Sequence, residues 1–71
     1  MLFRITVKAP KYYNGIRLER GMSVDVVSNS YGPLTYHGGQ EVIDAFMRVY
    51  GIDIKKANAL SSAWLDVVRL G

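Results

Sequence analysis

Cysteine is absent from this 71-residue chain, so neither a disulfide framework nor a thiolate metal site can brace it. Histidine is nearly absent: His37 is the single candidate for any Ser/His/Asp or Cys/His arrangement. Acidic side chains are the minority, six against nine Lys and Arg, for a formal charge of +3. No stretch approaches the ~20 apolar residues of a membrane span. Arg4, Thr6 and Lys8 interrupt the apolar start, so no signal peptide is expected there. The Gly-Lys-Ser/Thr ending of a nucleotide-binding loop is missing, and so is the Gly-x-Gly-x-x-Gly pattern. These absences point to a soluble, cytoplasmic chain without a metal or cofactor.

What remains is an ordinary globular composition, 49% hydrophobic and 21% charged, with room for one domain over residues 1–71. A domain of this size buries only about 60% of the surface its unfolded chain exposes. Small scaffolds add disulfides, metals or a partner chain to compensate. With the first two excluded, self-association becomes an expectation.

The strongest local signal is Asn14-Gly15, a dipeptide that tolerates the positive φ values of a type I′ turn. With these two residues at a hairpin tip, facing positions sum to 29. Phe3, Ile5 and Val7 then face Val26, Val24 and Met22 on one apolar side. On the other side Arg4 meets Asp25, Thr6 meets Ser23, and Tyr12 meets Arg17, which are favourable cross-strand pairs. Slipping by one residue would expose the apolar set, so the pattern specifies its register. Pro10 lacks an N–H and must interrupt the ladder. The favoured reading is therefore a long hairpin with a bulge near Pro10 and Gly21. A rival reading turns the chain at Arg20-Gly21 and pairs Leu18 with Val24 in a three-stranded meander.

Residues 28–38 form a polar, glycine-containing loop around Gly32-Pro33. From Gln40 to Tyr50 the period changes to that of a helix, with Val42, Ile43, Phe46, Met47 and Tyr50 on one side. Gln40, Glu41, Asp44 and Arg48 occupy the polar side, where Asp44 and Arg48 are spaced as an ion pair. Gly51 is placed to end the helix. Asp53 is placed to cap a second helix with Ile54, Ala57 and Leu60 inward. Trp64 to Leu70 reads as a final strand. The expected fold is α+β, in the order β-β(-β)-α-α-β. A small antiparallel sheet built on the N-terminal hairpin carries two helices on one face, and a C-terminal strand completes it. The expected core is Phe3, Ile5, Val7, Leu18, Val24, Val26, Val42, Ile43, Phe46, Met47, Leu65 and Val67.

No enzyme is legible. His37 lacks further metal ligands at fixed spacing and reads as a loop histidine. Gly38-Gly39 could bring amide groups to an anion, but reads better as the turn into the helix. Glu41 and Asp44 share a helix face that is expected to be exposed, which would not raise a carboxylate pKa. The hairpin is the basic end: residues 1–20 carry Arg4, Lys8, Lys11, Arg17 and Arg20 against Glu19 alone. Tyrosines lie near it and in the long loop. Candidate contact residues are thus Lys8, Lys11, Tyr12, Arg17, Arg20, Tyr31, Tyr36 and His37. Aromatics among cations can stack bases and neutralise phosphates, but tyrosines among glycines and serines also mark protein-binding surfaces. The modest basic excess favours a protein partner or a second copy over nucleic acid. The last strand, with neither proline nor lysine to guard its edge, is the expected seat of a homodimer. A small-ligand binder using the loop between the sheet and the helix is a third, weaker reading.

The run Leu2-Phe3-Arg4-Ile5-Thr6-Val7-Lys8 resembles a group of short uncharacterised bacterial proteins. So do Asn14-Gly15, Gly21-Met22-Ser23-Val24, Gly38-Gly39-Gln40-Glu41-Val42-Ile43-Asp44-Ala45-Phe46 and Gly51-Ile52-Asp53. The resemblance covers nearly the whole chain and implies a small stand-alone domain, with no catalytic or binding residue carried over.

Overall fold

A computed structural model describes residues 1–71. Its strands are β1 (Leu2–Val7), β2 (Lys11–Tyr13), β3 (Ile16–Leu18), β4 (Ser23–Val27) and β5 (Leu65–Arg69). A single 3₁₀ turn, Tyr36–Gly39, leads into the one helix, α1 (Gln40–Tyr50). β1 is the central strand of an antiparallel sheet ordered β4-β1-β5, and β2 pairs with β3.

The hairpin register holds throughout. Arg4 faces Asp25, Ile5 faces Val24, and Thr6 faces Ser23 in the lower ladder. Lys11 faces Leu18 and Tyr12 faces Arg17 in the upper one. Backbone hydrogen bonds extend the pairing to Met1 and Ser28 at the open end. Asn14 and Gly15 take φ values of 51° and 76°, as a type I′ tip requires. The ladder breaks at a glycine bulge opposite Val7. The Val7 carbonyl accepts the Gly21 N–H at 2.9 Å, while the Val7 N–H donates to the Met22 carbonyl at 2.8 Å. Gly21, at φ 92°, supplies the left-handed residue this bulge needs. The meander is excluded, because Val24 pairs with Ile5 and Leu18 with Lys11.

One face of the sheet is buried. Phe3, Ile5, Val7, Val24, Val26 and Leu65 meet Val42, Ala45 and Phe46 of α1, and Ile54, Ala57 and Ala59 close the same core. Phe46 is fully buried. Ile43 and Val67, expected in the core, are only partly buried and pack against it. Met47 does not join it. This side chain is 49% exposed, because at 3.6 residues per turn it falls outside the arc of the buried Val42, Ala45 and Phe46.

The second helix is absent. Asp53 does cap: its Oδ1 accepts the Lys56 N–H at 3.1 Å, and its carbonyl accepts the Ala57 N–H at 3.1 Å. A single turn follows, and Asn58, at φ 55°, ends it. One turn fixes several dihedrals for one or two hydrogen bonds, and without room to propagate it stays a turn. Ile54 and Ala57 nevertheless point inward, as the helical reading required. The Asp44–Arg48 ion pair is also absent. Asp44 accepts the Gln40 side-chain amide at 2.7 Å instead, and the molecule's ion pair is Arg4–Asp25 at 2.9 Å. Gly51 ends α1 as expected, with its N–H on the Met47 carbonyl.

Gly39 holds the junction between loop and helix. It is buried at φ 76°, and a Cβ there would stand 2.6 Å from a Leu60 methyl and 2.7 Å from the Leu34 carbonyl. Gly39 is therefore required by packing, whereas Gly38, at φ 67°, answers only to the backbone conformation of the turn.

Candidate interaction surface

The basic hairpin is not a free arm. Lys8 Nζ donates to the Ser62 carbonyl at 2.7 Å, Lys11 Nζ to the Asn58 carbonyl at 2.6 Å, and Asn14 Nδ2 to the Lys56 carbonyl at 2.9 Å. The Lys11 ammonium also lies 4.5 Å from the centre of the Trp64 ring and 5.2 Å from that of Tyr13. Two of the expected contact residues thus clamp the hairpin to the 56–62 segment. Nothing in their local sequence announces this role, since the acceptors lie 47 and 54 residues away.

The other hairpin candidates remain outward. Arg17 and Arg20 make no internal ion pair or side-chain hydrogen bond, and Tyr12 is 72% exposed. Lys11, Tyr12 and Arg17 line one side of an open hollow of about 380 Å³, completed by Pro10, Leu18 and Glu19. Lys8 and Arg20 share a second hollow with Asp66, which offsets part of the positive charge there.

Tyr31, Tyr36 and His37 belong elsewhere. Tyr36 and His37 meet edge to face with ring centres 4.2 Å apart, Tyr36 half-buried and His37 exposed. Tyr31 is 76% exposed, and the Arg69 guanidinium lies 5.3 Å from its ring centre. Arg69 and Trp64 stand at opposite ends of the last strand, about 16 Å apart at ~3.3 Å per residue. The candidate residues therefore form two separate groups.

The helix's polar face is also less open than its pattern suggests. Glu41 is half-buried, and its Oε1 is enclosed without a hydrogen-bond partner.

Each edge of the sheet is partly occupied. In β4, Ser23, Asp25 and Val27 point their backbone groups away from β1. Tyr50, at the end of α1, occupies the first of these positions: its hydroxyl accepts the Ser23 N–H at 2.9 Å and donates to the Ser23 carbonyl at 3.1 Å. In β5 the alternation is fixed by bonds from Lys8 N–H to the Trp64 carbonyl and from Leu70 N–H to the Leu2 carbonyl. Leu65, Val67 and Arg69 therefore face outward. The Leu65 N–H turns back to the Ser61 carbonyl at 2.9 Å, but Val67 and Arg69 have no partner on that side.

Apolar surface flanks this edge on both faces. On the open face Val27, Leu2 and Leu70 lie side by side across the three strands, with Val68 next to Leu70 along β5, and all four are exposed. On the core side a groove of about 420 Å³ runs beside the strand, lined by Tyr31, Pro33, Leu34, Leu60 and Val67 among others. Backbone donors and acceptors next to an apolar groove can hold an extended chain.

The architecture is that of a small α+β domain, with one helix packed on a hairpin-based antiparallel sheet. Residues 1–67 match the model of DUF6140, a family of unknown function, and the chain belongs to that family. No curated protein and no solved structure matches it.

Proposed function

We propose that this domain is a small non-enzymatic interaction module of the cytoplasm that binds a protein partner or a second copy of itself. The observation carrying this reading is an open stretch of the β5 edge with an apolar groove beside it. The outward groups of Val67 and Arg69 in β5 are unpaired and have the groove of Pro33, Leu34 and Leu60 beside them; on the β4 edge Tyr50 takes Ser23, and Asp25 and Val27 are unpaired. An open edge is a template for another strand, and the apolar surface beside it supplies further attraction.

A second reading, an accessory protein that binds nucleic acid through the hairpin Lys8–Arg20, is favoured by one specific observation. Arg17 and Arg20 have no internal partner, and exposed Tyr12 stands beside Arg17. Lys8 and Lys11 count against it, since their ammonium groups already serve backbone carbonyls.

Affinity capture from native lysate, with and without nuclease, separates the two. Capture of a defined protein that survives nuclease, or a concentration-dependent dimer in sedimentation equilibrium, supports the module. Capture that nuclease abolishes, from a chain that sediments as a monomer, overturns it.

A further inference from the structure

We propose that the β5 edge and its groove accept an extended segment of another protein, one with an aliphatic side chain and an aspartate or glutamate two residues away. This rests on the interaction-module reading and names the partner class for the same surface.

The backbone component comes first. The Leu65 carbonyl and the N–H and carbonyl of Val67 and Arg69 project from β5 with no partner, enough for a short antiparallel ladder. In such a ladder, directly opposed residues share a face. The guest residue opposite Val67 therefore enters the groove between Pro33, Leu34 and Leu60. Its size and apolar walls call for an aliphatic group. The guest residues on either side point to the open face, opposite Asp66 and Val68.

Charge then selects the neighbour. Arg69 follows Val67 by two positions and shares its face, with the guanidinium beside Tyr31 at the groove's end. It has no carboxylate partner, because the molecule's ion pair is Arg4–Asp25. A guest carboxylate opposite Arg69 would supply one.

The same test of complementarity disfavours a second copy. Two β5 strands related by a two-fold axis at Val67 would set Arg69 against Leu65 of the other copy. Leu65 is buried and apolar, and its N–H is already bonded to Ser61. The only acid of the strand, Asp66, projects from the opposite face.

The experiment selects a displayed decapeptide library on the immobilised full chain, then measures a fluorescein-labelled consensus peptide by anisotropy. The expected consensus has an aliphatic residue two positions from an acid. Val67→Pro removes an N–H that faces away from β1 and should weaken binding by at least about tenfold. Arg69→Glu should weaken the consensus peptide, and exchanging the peptide's acid for lysine should restore binding to that variant. The Arg69 exchange alters only an exposed side chain, so it decides the matter even if Val67→Pro unfolds. Binding indifferent to the Arg69 exchange, or to a folded Val67→Pro variant, overturns the proposal. So does a selection that yields no peptide. If the chain then sediments as a dimer that Val67→Pro dissociates, the module reading stands with a second copy as occupant. If it is a monomer capturing only nuclease-sensitive material, both readings fall.

Discussion

The Tyr50 hydroxyl holds Ser23 by both of its backbone groups, accepting the N–H at 2.9 Å and donating to the carbonyl at 3.1 Å. One side chain thus stands where a neighbouring strand would, and it ties the end of α1 to the edge of β4. The ring also stacks on Phe46, with centres 6.0 Å apart, so its aim is fixed by the core.

Tyr50→Phe keeps that stacking and removes both hydrogen bonds. The expected loss is about 1 kcal/mol for partly exposed bonds, measured by urea denaturation. Sedimentation should show stronger self-association in the variant, since Ser23 then joins Asp25 and Val27 in an edge open along its whole length. Unchanged stability would mean that water replaces the hydroxyl at no cost.

Phe46→Ala tests the layering. A fully buried phenylalanine between sheet and helix should cost about 3–5 kcal/mol, enough to unfold most of so small a domain. Loss below about 1 kcal/mol would place that helix face in solvent.

Gly39→Ala tests the turn into α1. The left-handed backbone should cost about 1–2 kcal/mol, and the encounter with Leu60 and the Leu34 carbonyl about 1–3 more. Gly38→Ala is the control: it shares the positive φ but meets nothing within 4 Å. Thermal melts should rank wild type above Gly38→Ala and Gly38→Ala above Gly39→Ala.

Asp25 should titrate below the ordinary aspartate range, because it accepts hydrogen bonds from the Arg4 guanidinium and feels its charge. Its folded pKa is depressed relative to the unfolded chain. Its contribution is therefore present above the ordinary value and is lost as pH falls through the depressed one. Carboxyl carbon shifts followed by NMR should show this, and Arg4→Gln should return Asp25 toward the ordinary range.

The protein-partner reading predicts no measurable affinity for nucleic acid at physiological salt. Were the hairpin to bind it, the double variant Arg17→Ala, Arg20→Ala should shallow the log–log salt slope on duplex DNA by about 2. Tyr12→Ala should cost about 1–3 kcal/mol on a single strand. Binding titrations over a salt series read both.

The local half of this fold was legible in the sequence. Alternation on either side of Asn14-Gly15 specifies a register that holds from Met1–Ser28 to Tyr13–Ile16, because a slip would turn Phe3, Ile5 and Val7 to solvent. The period of Val42, Ile43, Phe46, Met47 and Tyr50 likewise defines α1, and Gly51 its end, although Met47 and Tyr50 are exposed and Ala45 is buried. Asp53 misled in part, since its capping signal is real but the chain beyond Asn58 does not sustain a helix.

The tertiary structure alone decided where β5 lies and what the candidate residues do. Alternation in Leu65–Arg69 fixes which side chains are inward, but any two-residue shift preserves that and names no neighbour. The pairing of Ile5 with Val67 follows from closing the 52–63 segment over the core and clamping it with Lys8, Lys11 and Asn14. The same closure converts two expected contact lysines into internal braces and brings Tyr31 beside Arg69. Which edge groups stay open depends on Tyr50 reaching Ser23 of β4 and on the Leu65 N–H turning back to Ser61; the first joins residues 27 positions apart, which local periodicity does not encode.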